Sequence, residues 1–226
     1  MDKMRATPQP DRIAPFANRE EAALLLVREL EAYRGTDAIV LTVPPDVTIG
    51  NVVAEHLGLD SNPMPCLEIR HPANRNQSIG SVCLKNVVLH DEERDIPQEY
   101  LQYTIARLRA KIRRDLKEGG IDPVQEGYRG KTLIVVSDWM KTADRILACL
   151  SHIRKESPAR IVVATAVISN QAIIELRALA DELIYLVEGD EVSLPEYYFG
   201  TQQDDRPAQT RGHQGNISIK PVHHYA

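Results

Sequence analysis

The chain has 226 residues, a formal net charge of −5 and charged side chains at 26% of its positions. This length allows one sizeable α/β domain with a buried core, and the acidic balance gives no electrostatic footprint for general nucleic-acid binding. The polar, proline-rich start lacks the apolar core of a signal peptide, and no later apolar run is long enough to span a bilayer. We therefore expect a soluble, cytoplasmic protein that binds neither membrane nor nucleic acid.

The first half of the chain alternates helical and extended patterns. Asn18 is a good N-cap for the first helix, and Gly58 ends the second. The apolar run of the first strand is continuous, as in a strand covered on both faces. In chain order, the pattern predicts a leader over 1–15, a helix over 18–34, a strand over 36–43, a helix over 48–58, a strand over 66–70 and one or two extended segments over 78–91.

The second half is more regular. A long helix over 98–118 carries Tyr103, Ile105, Leu108 and Ile112 near one stripe and is stopped by Gly119-Gly120. After it, the pattern predicts a strand over 131–138, a helix over 142–156, a strand over 159–167, a helix over 170–181 and a strand over 182–188. Strands that alternate with helices need crossover connections, so the prediction is a doubly wound, mostly parallel sheet flanked by helices.

In such a sheet, ligands bind beyond the carboxyl ends of the strands, which selects the turns 44–48, 70–78, 137–143 and 168–172. The turn 137–143 follows a strong strand and is polar. Its acid could hold sugar hydroxyls or a metal while its amides and Thr142 face a phosphate. The alternative is that Ser137, Asp138 or Thr142 simply caps the next helix.

Two other residue groups are weaker candidates for sites. Cys66, Cys83 and Cys149 are widely spaced without a CxxC pair, which favours reduced, partly buried thiols over a disulfide framework or a zinc site. His223 and His224 are adjacent in the C-terminal tail without nearby acids or cysteines, so they are weak evidence for a metal site.

Four stretches carry a family resemblance: FANREEAALLL (16–26), AIVLTVPPDVTIGNVVAEHLG (38–58), LEIRHPANRNQSIGSV (67–82) and ARIVVATAVISNQAIIELRALADELIYL (159–186). They resemble the type I phosphoribosyltransferase fold, and in particular a bacterial branch of phosphoribosyltransferase domain proteins. The resemblance implies a domain over 16–199 with an inserted segment over about 78–128, and a C-terminal extension over 200–226.

The resemblance places the segment 133–147 at the family's phosphoribosyl loop, an apolar strand followed by two acids and a G-x-A-T-G-x-T loop. Matched residue by residue, Asp138 keeps the second acid and Thr142 keeps the central threonine of the loop. Ser137 replaces the first acid, and Met140 fills the variable position. The other positions are replaced as well: the first glycine by Trp139, the alanine by Lys141, the second glycine by Ala143 and the last threonine by Arg145.

These replacements change the chemistry that the loop can offer. Glycine lets the backbone approach a phosphate and take positive φ, which tryptophan does not do easily. Lys141 and Arg145 could hold a phosphate by their side chains instead, whereas loss of the first acid weakens binding of ribose and magnesium. We expect the Trp139 ring to close the former pocket.

The family's pyrophosphate loop, P-R-G-G, is also replaced. Its position holds Pro44, Pro45, Asp46 and Val47, so the arginine and both glycines are gone. The Asp46 carboxylate should repel a diphosphate, and Pro45 removes a backbone donor. Further along, Arg70 and His71 match the family's R-K pair, as phosphate contacts or as a surface pair beside a loop.

The resemblance leaves three functions open. The favoured one is a catalytically impaired member that acts as a nucleotide- or phosphosugar-responsive regulator or assembly partner. The second is an active transferase that joins a phosphoribosyl group to a nitrogenous acceptor through Asp138, Thr142 and Arg70. The third is a structural protein that binds no ligand. We expect a homodimer or hetero-oligomer, and Mg²⁺, held through Asp138, only where phosphoribosyl diphosphate is bound.

Overall fold

A computed structural model of the chain describes residues 14–44, 47–75, 77–84, 86–89, 96–118, 127–190 and 192–200. The helices are α1 (Arg19–Glu29), α2 (Thr48–Leu57), α3 (Gln98–Glu118), α4 (Asp144–Ile153) and α5 (Asn170–Arg177). The strands are β1 (Ile39–Thr42), β2 (Asp60–Pro63), β3 (Leu67–Arg70), β4 (Ser78–Val82), β5 (Val87–Leu89), β6 (Thr132–Met140), β7 (Arg160–Ser169) and β8 (Glu182–Gly189).

Five strands form a parallel sheet in the order β2-β1-β6-β7-β8, which confirms the predicted doubly wound α/β class. Its central strands are apolar and buried on both faces, as their continuous apolar runs predict. One face packs against α1 and α2, and the other packs against α4 and α5. The carboxyl ends of all five strands therefore meet at one edge, between the two helical layers.

The middle of the chain departs from the simplest alternation. Strand β3 does not join the parallel sheet but forms a separate antiparallel sheet in the order β3-β4-β5, against which α3 packs. Strand β2, with the sequence DSNP, is not predicted by the sequence pattern. It is polar because it forms an edge of the large sheet, where pairing with β1 alone holds it.

The helix ends mostly follow the sequence signals. The Asn18 side chain accepts a hydrogen bond from the Glu21 amide at 2.8 Å, and Gly58 ends α2 in the left-handed conformation with φ 67°. The stripe predicted on α3 is wrong at Tyr103, which is 68% exposed. The buried stripe continues instead from Ile112 to Leu116, since only positions three or four apart share a helix face. Gly119-Gly120 lies outside the described residues.

The two phenylalanines of the chain join the beginning and end of the described fold. Phe16 and Phe199 pair by a parallel β-bridge, and their rings stack with centroids 5.7 Å apart. Both are almost completely buried, so the segment after β8 is anchored beside the start of α1. Within the part of the chain that the structure describes, no helix combines the length and apolarity needed to cross a membrane.

Gly50 provides a test of how tightly α2 packs on the sheet. A methyl group added there would overlap the Thr42 side chain and approach Val136 Cβ to 3.5 Å. We expect Gly50→Ala to lower the free energy of unfolding by about 1–3 kcal/mol, since overpacking outweighs the gain in helix propensity. Urea denaturation measures the change, with exposed Glu55→Ala on the same helix as the control. An unchanged or raised stability would contradict this packing.

At the amino ends of the strands, a polar cluster joins the short 3₁₀ turn that follows α1 (Glu31–Tyr33) to the starts of β7 and β8. The Tyr33 hydroxyl donates to Glu182 Oε2 at 2.6 Å, and Arg160 Nη2 donates to the same oxygen at 2.8 Å. Burial, followed by the hydrogen bond to Glu182, raises the pKa of Tyr33 from 10.0 to about 12. The folded state therefore favours the neutral phenol.

This shift predicts a loss of stability in alkali. Tyr33 ionises near pH 10 when unfolded and near pH 12 when folded, so its contribution is complete below pH 10 and declines between the two values. Urea unfolding from pH 9 to 11.5 should give a steeper decline for the wild type than for Tyr33→Phe. The exposed-tyrosine variant Tyr103→Phe should keep the wild-type slope, and equal slopes for all three proteins would refute the assignment.

Candidate functional site

The segment singled out in the sequence is mostly strand rather than loop. Strand β6 continues past the predicted end at Asp138 and includes Trp139 and Met140. Only residues 141–143 then separate it from α4, which begins at Asp144. The backbone at Trp139 is extended and paired with β7, so its side chain fits there without strain.

A shared irregularity turns Asp138 and Trp139 toward the same face. Along β6, side chains first alternate between the two cores, with Ile134 and Val136 facing α1 and α2. Trp139 also packs on that face, and Asp138 reaches α1. In β7 and β8, the two residues that stand beside Asp138 and Trp139 also both face this core. They are Ala166 and Val167 in β7, and Leu186 and Val187 in β8. Because all three strands change together, their register is preserved.

Asp138, the acid retained in the sequence match, is 4% exposed. Its Oδ2 accepts from Arg19 Nε at 3.2 Å, and Arg19 is the first residue of α1. The Arg19 guanidinium also lies 4.7 Å from the centre of the Phe199 ring. A buried carboxylate needs such a partner, and the amino end of a helix favours negative charge as well. Asp138 thus joins β6, α1 and the C-terminal segment.

Trp139 is fixed by the segment that follows β8. Its indole Nε1 donates to the Ser193 carbonyl oxygen at 2.8 Å, and its ring packs against the core on the α1 side. The Ser193 amide in turn donates to the Tyr198 hydroxyl at 3.2 Å. The ring therefore joins β6 to residues 193–198, and its predicted closure of a ligand pocket stays a prediction.

In the turn that leads into α4, polar groups form hydrogen bonds with other groups of the protein. The Thr142 hydroxyl donates to Asp144 Oδ2 at 2.9 Å, and Ser169 Oγ donates to the Lys141 carbonyl at 2.8 Å. The N-cap of α4 is Ala143, which has no side-chain cap, so the capping alternative for this turn is wrong. Lys141 and Thr142 are exposed, whereas Ala143 is buried. Ser137 lies within β6, where its hydroxyl donates to the Trp139 carbonyl at 3.4 Å.

The pyrophosphate-loop position meets α4 through Arg145. Arg145 Nη1 donates to the Pro44 carbonyl at 2.8 Å. Val47 is the N-cap of α2 and forms no side-chain cap. Pro45 and Asp46 lie outside the described residues, so the predicted repulsion of a diphosphate by Asp46 stays a prediction.

Arg70 and Arg145 share one carboxylate from the small sheet. Glu68 pairs with Arg70 and lies 3.9 Å from Arg145 Nε, measured from its Oε1. The Arg70 carbonyl accepts from the Tyr100 hydroxyl at 2.7 Å, which joins β3 to α3. His71 Nδ1 accepts from the Ala73 amide at 3.1 Å and so belongs to its own turn. The structure therefore brings Arg70, Arg145 and Pro44 together but gives His71 a local partner.

The three cysteines converge, contrary to the expectation of separate reduced thiols. Cys66 and Cys83 are joined by a disulfide, and Cys149 Sγ lies 3.0 Å from Cys66 Sγ. Burial raises the pKa of the Cys149 thiol well above its usual range, and the charge of Arg145 opposes this shift only partly. Spacing along the chain did not reveal the cluster, because Cys66 and Cys83 flank the small sheet whereas Cys149 comes from α4.

No family model matches the chain. It is similar to the solved structure of TT1426 from Thermus thermophilus, with 26% identity, a TM-score of 0.64, and coverage of 81% of this chain and 89% of that one. Two more distant structures are purine phosphoribosyltransferase from Pyrococcus horikoshii (13% identity, TM-score 0.47, coverage 85% and 93%) and a hypothetical protein from Neisseria gonorrhoeae with bound ppGpp (15% identity, TM-score 0.42, coverage 68% and 69%).

The chain has a type I phosphoribosyltransferase-like fold, as the sequence predicted. The parallel sheet carries the strand order of the doubly wound class, and the small antiparallel sheet lies beside its carboxyl edge through contacts with α4. Among the described site residues that the sequence predicted, those from Ser137 to Met140 lie on β6, Arg145 lies on α4, Arg70 ends β3 and Pro44 follows β1.

The sequence did not predict which residues hold the candidate site residues in place. Arg19 pairs with Asp138 and lies over Phe199, Glu68 pairs with Arg145, and the Ser193 carbonyl accepts from Trp139. Arg19 and Glu68 lie inside the stretches that carry the resemblance, so their charges were visible. Their partners were not, because Arg19 and Asp138 are 119 positions apart.

A double-mutant cycle tests the Arg19–Asp138 pair. We expect Arg19→Ala to lower the free energy of unfolding by about 3–5 kcal/mol, since it leaves the buried Asp138 carboxylate without this partner. Asp138→Asn in the Arg19→Ala background should recover part of the loss, giving a coupling energy of about 1–3 kcal/mol. Exposed Arg114→Ala on α3 is the control. Additive effects of the two substitutions would show that the pair contributes nothing.

Proposed function

We propose that this chain is a phosphoribosyltransferase-fold protein that no longer transfers a phosphoribosyl group and acts as a regulatory or assembly protein. The observation that carries the proposal is the position of Asp138. The acid that an active relative would offer to ribose is buried here and paired with Arg19. A substrate would have to displace this pair before the carboxylate could hold its hydroxyl groups.

The turn after β6 supports the same conclusion. A phosphate held by backbone amides needs a loop that can wrap it, and glycine normally provides that freedom. Here three residues connect the strand to α4, none of them glycine, and the Thr142 hydroxyl is already bonded to Asp144.

Positive charge at the same edge favours a phosphate-bearing ligand over no ligand at all. Arg70 and Arg145 share the single carboxylate of Glu68, and the exposed Lys141 precedes α4. Within the described part of the chain, these three cations outnumber Glu68 and Asp144, the two carboxylates bonded beside them. We therefore include response to a nucleotide or phosphosugar in the proposal, together with a cytoplasmic location and assembly as a homodimer or hetero-oligomer.

The proposal is tested by calorimetric titration of the protein. The ligands are phosphoribosyl diphosphate, with and without Mg²⁺, and a panel of nucleotides. We expect no pyrophosphate release with purine or pyrimidine acceptors. We also expect binding of a nucleotide or phosphosugar that survives Mg²⁺ chelation. Lys141→Gln should weaken it by about tenfold, the effect of losing about 1.4 kcal/mol, and exposed Lys117→Gln on α3 is the matched control.

Two outcomes would contradict the proposal in different ways. Tight, Mg²⁺-dependent binding of phosphoribosyl diphosphate that is lost in Asp138→Ala would indicate an active transferase. Absence of binding to every member of the panel would indicate a structural protein without a ligand.

A further inference from the structure

Three cysteine side chains meet between the small sheet and α4. Cys149 Sγ lies 3.0 Å from Cys66 Sγ and 3.7 Å from Cys83 Sγ, and all three sulfurs fall within 4.8 Å of one another. Each residue is at most 2% exposed. Sulfur atoms from three separate segments therefore meet at one buried position in the core.

The fold fixes this meeting through backbone pairing. Leu67 on β3 pairs with Val82 on β4, so the residues just outside this pair, Cys66 and Cys83, stand opposite each other with Cα atoms 4.5 Å apart. Cys149 comes from α4, which packs against β4 and β5. Rigid elements on both sides thus hold the three side chains in position, as a preformed site requires.

We propose that the reduced Cys66, Cys83 and Cys149 side chains form a binding site for one thiophilic metal ion, zinc(II) or copper(I). Thiolates are the ligands that these ions select, and a disulfide between two of the cysteines leaves the third sulfur without a covalent partner. A dithiol reductant must first transfer two electrons and two protons to the Cys66–Cys83 bond. The three thiols then release their protons as the ion binds.

The surroundings supply what three thiolates alone lack. Three thiolates outweigh the charge of either ion. Arg145, which also pairs with Glu68, lies one turn before Cys149 on the same face of α4, where its positive charge reduces the excess. The carbonyl oxygen of Met64 lies 4.0 Å from Cys149 Sγ and can complete the four-coordinate shell that zinc prefers. A bound ion would tie the small sheet to α4, directly after the turn 141–143.

The test uses the full chain, reduced and handled without oxygen, in a zinc titration against a chromophoric chelator. We expect one ion per chain, and cobalt(II) in its place should give an intense sulfur-to-cobalt charge-transfer band. Cys66→Ser, Cys83→Ser and Cys149→Ala should each weaken binding by at least about tenfold, since even outer partners of metal ligands have effects of roughly 10–100-fold. A parallel copper(I) competition identifies the preferred ion.

The chain offers a matched control in its tail histidines. His223→Ala/His224→Ala should leave the stoichiometry and the cobalt spectrum unchanged. Circular dichroism checks that each variant is folded, and the wild-type cobalt spectrum decides the question even if a core variant unfolds. A folded, reduced wild type that binds no ion, or binding that the tail variant abolishes, would overturn the proposal. So would a cobalt complex without the sulfur band.

Discussion

The arrangement of residues at the carboxyl edge of the parallel sheet depends on one interaction, the pairing of Asp138 with Arg19. A carboxylate that is 4% exposed is tolerated only with a partner, and the partner comes from the first residue of α1. Arg19 also lies over Phe199, whose ring stacks on Phe16. One guanidinium therefore connects the central strand, the first helix and the C-terminal segment.

The irregularity shared by β6, β7 and β8 makes this pairing compatible with Trp139. In a regular strand, consecutive side chains point to opposite faces, so Asp138 and Trp139 could not both face the α1 side. The change of face at one residue in each strand allows it, and the strands keep the same register before and after that residue. The indole then reaches Ser193, while Asp138 reaches Arg19. The bulky Trp139 side chain thus has a structural place within the sheet.

Sequence patterns predicted what depends on local periodicity, and they failed where contacts join distant segments. The central strands, the Asn18 cap and the Gly58 end are local features, and they are confirmed. Strand β2 was missed because its DSNP sequence has no apolar alternation, and only its pairing with β1 defines it. The contacts of Cys149 with Cys66, of Arg145 with Pro44 and of Asp138 with Arg19 join residues 83, 101 and 119 positions apart. No spacing rule covers such distances.

The internal pairs also limit which ligands this edge can accept. A ligand that needed the Asp138 carboxylate would have to break a partly buried ion pair, and such a loss amounts to about 3–5 kcal/mol, or roughly two to four orders of magnitude in affinity. The same argument applies, more weakly, to Arg145, which the Pro44 carbonyl and Glu68 already hold. Lys141 is exposed and lies in the turn itself. A phosphate approaching from solvent would therefore gain most from Lys141 and from the outward side of Arg70, and it would leave the Asp138–Arg19 pair intact.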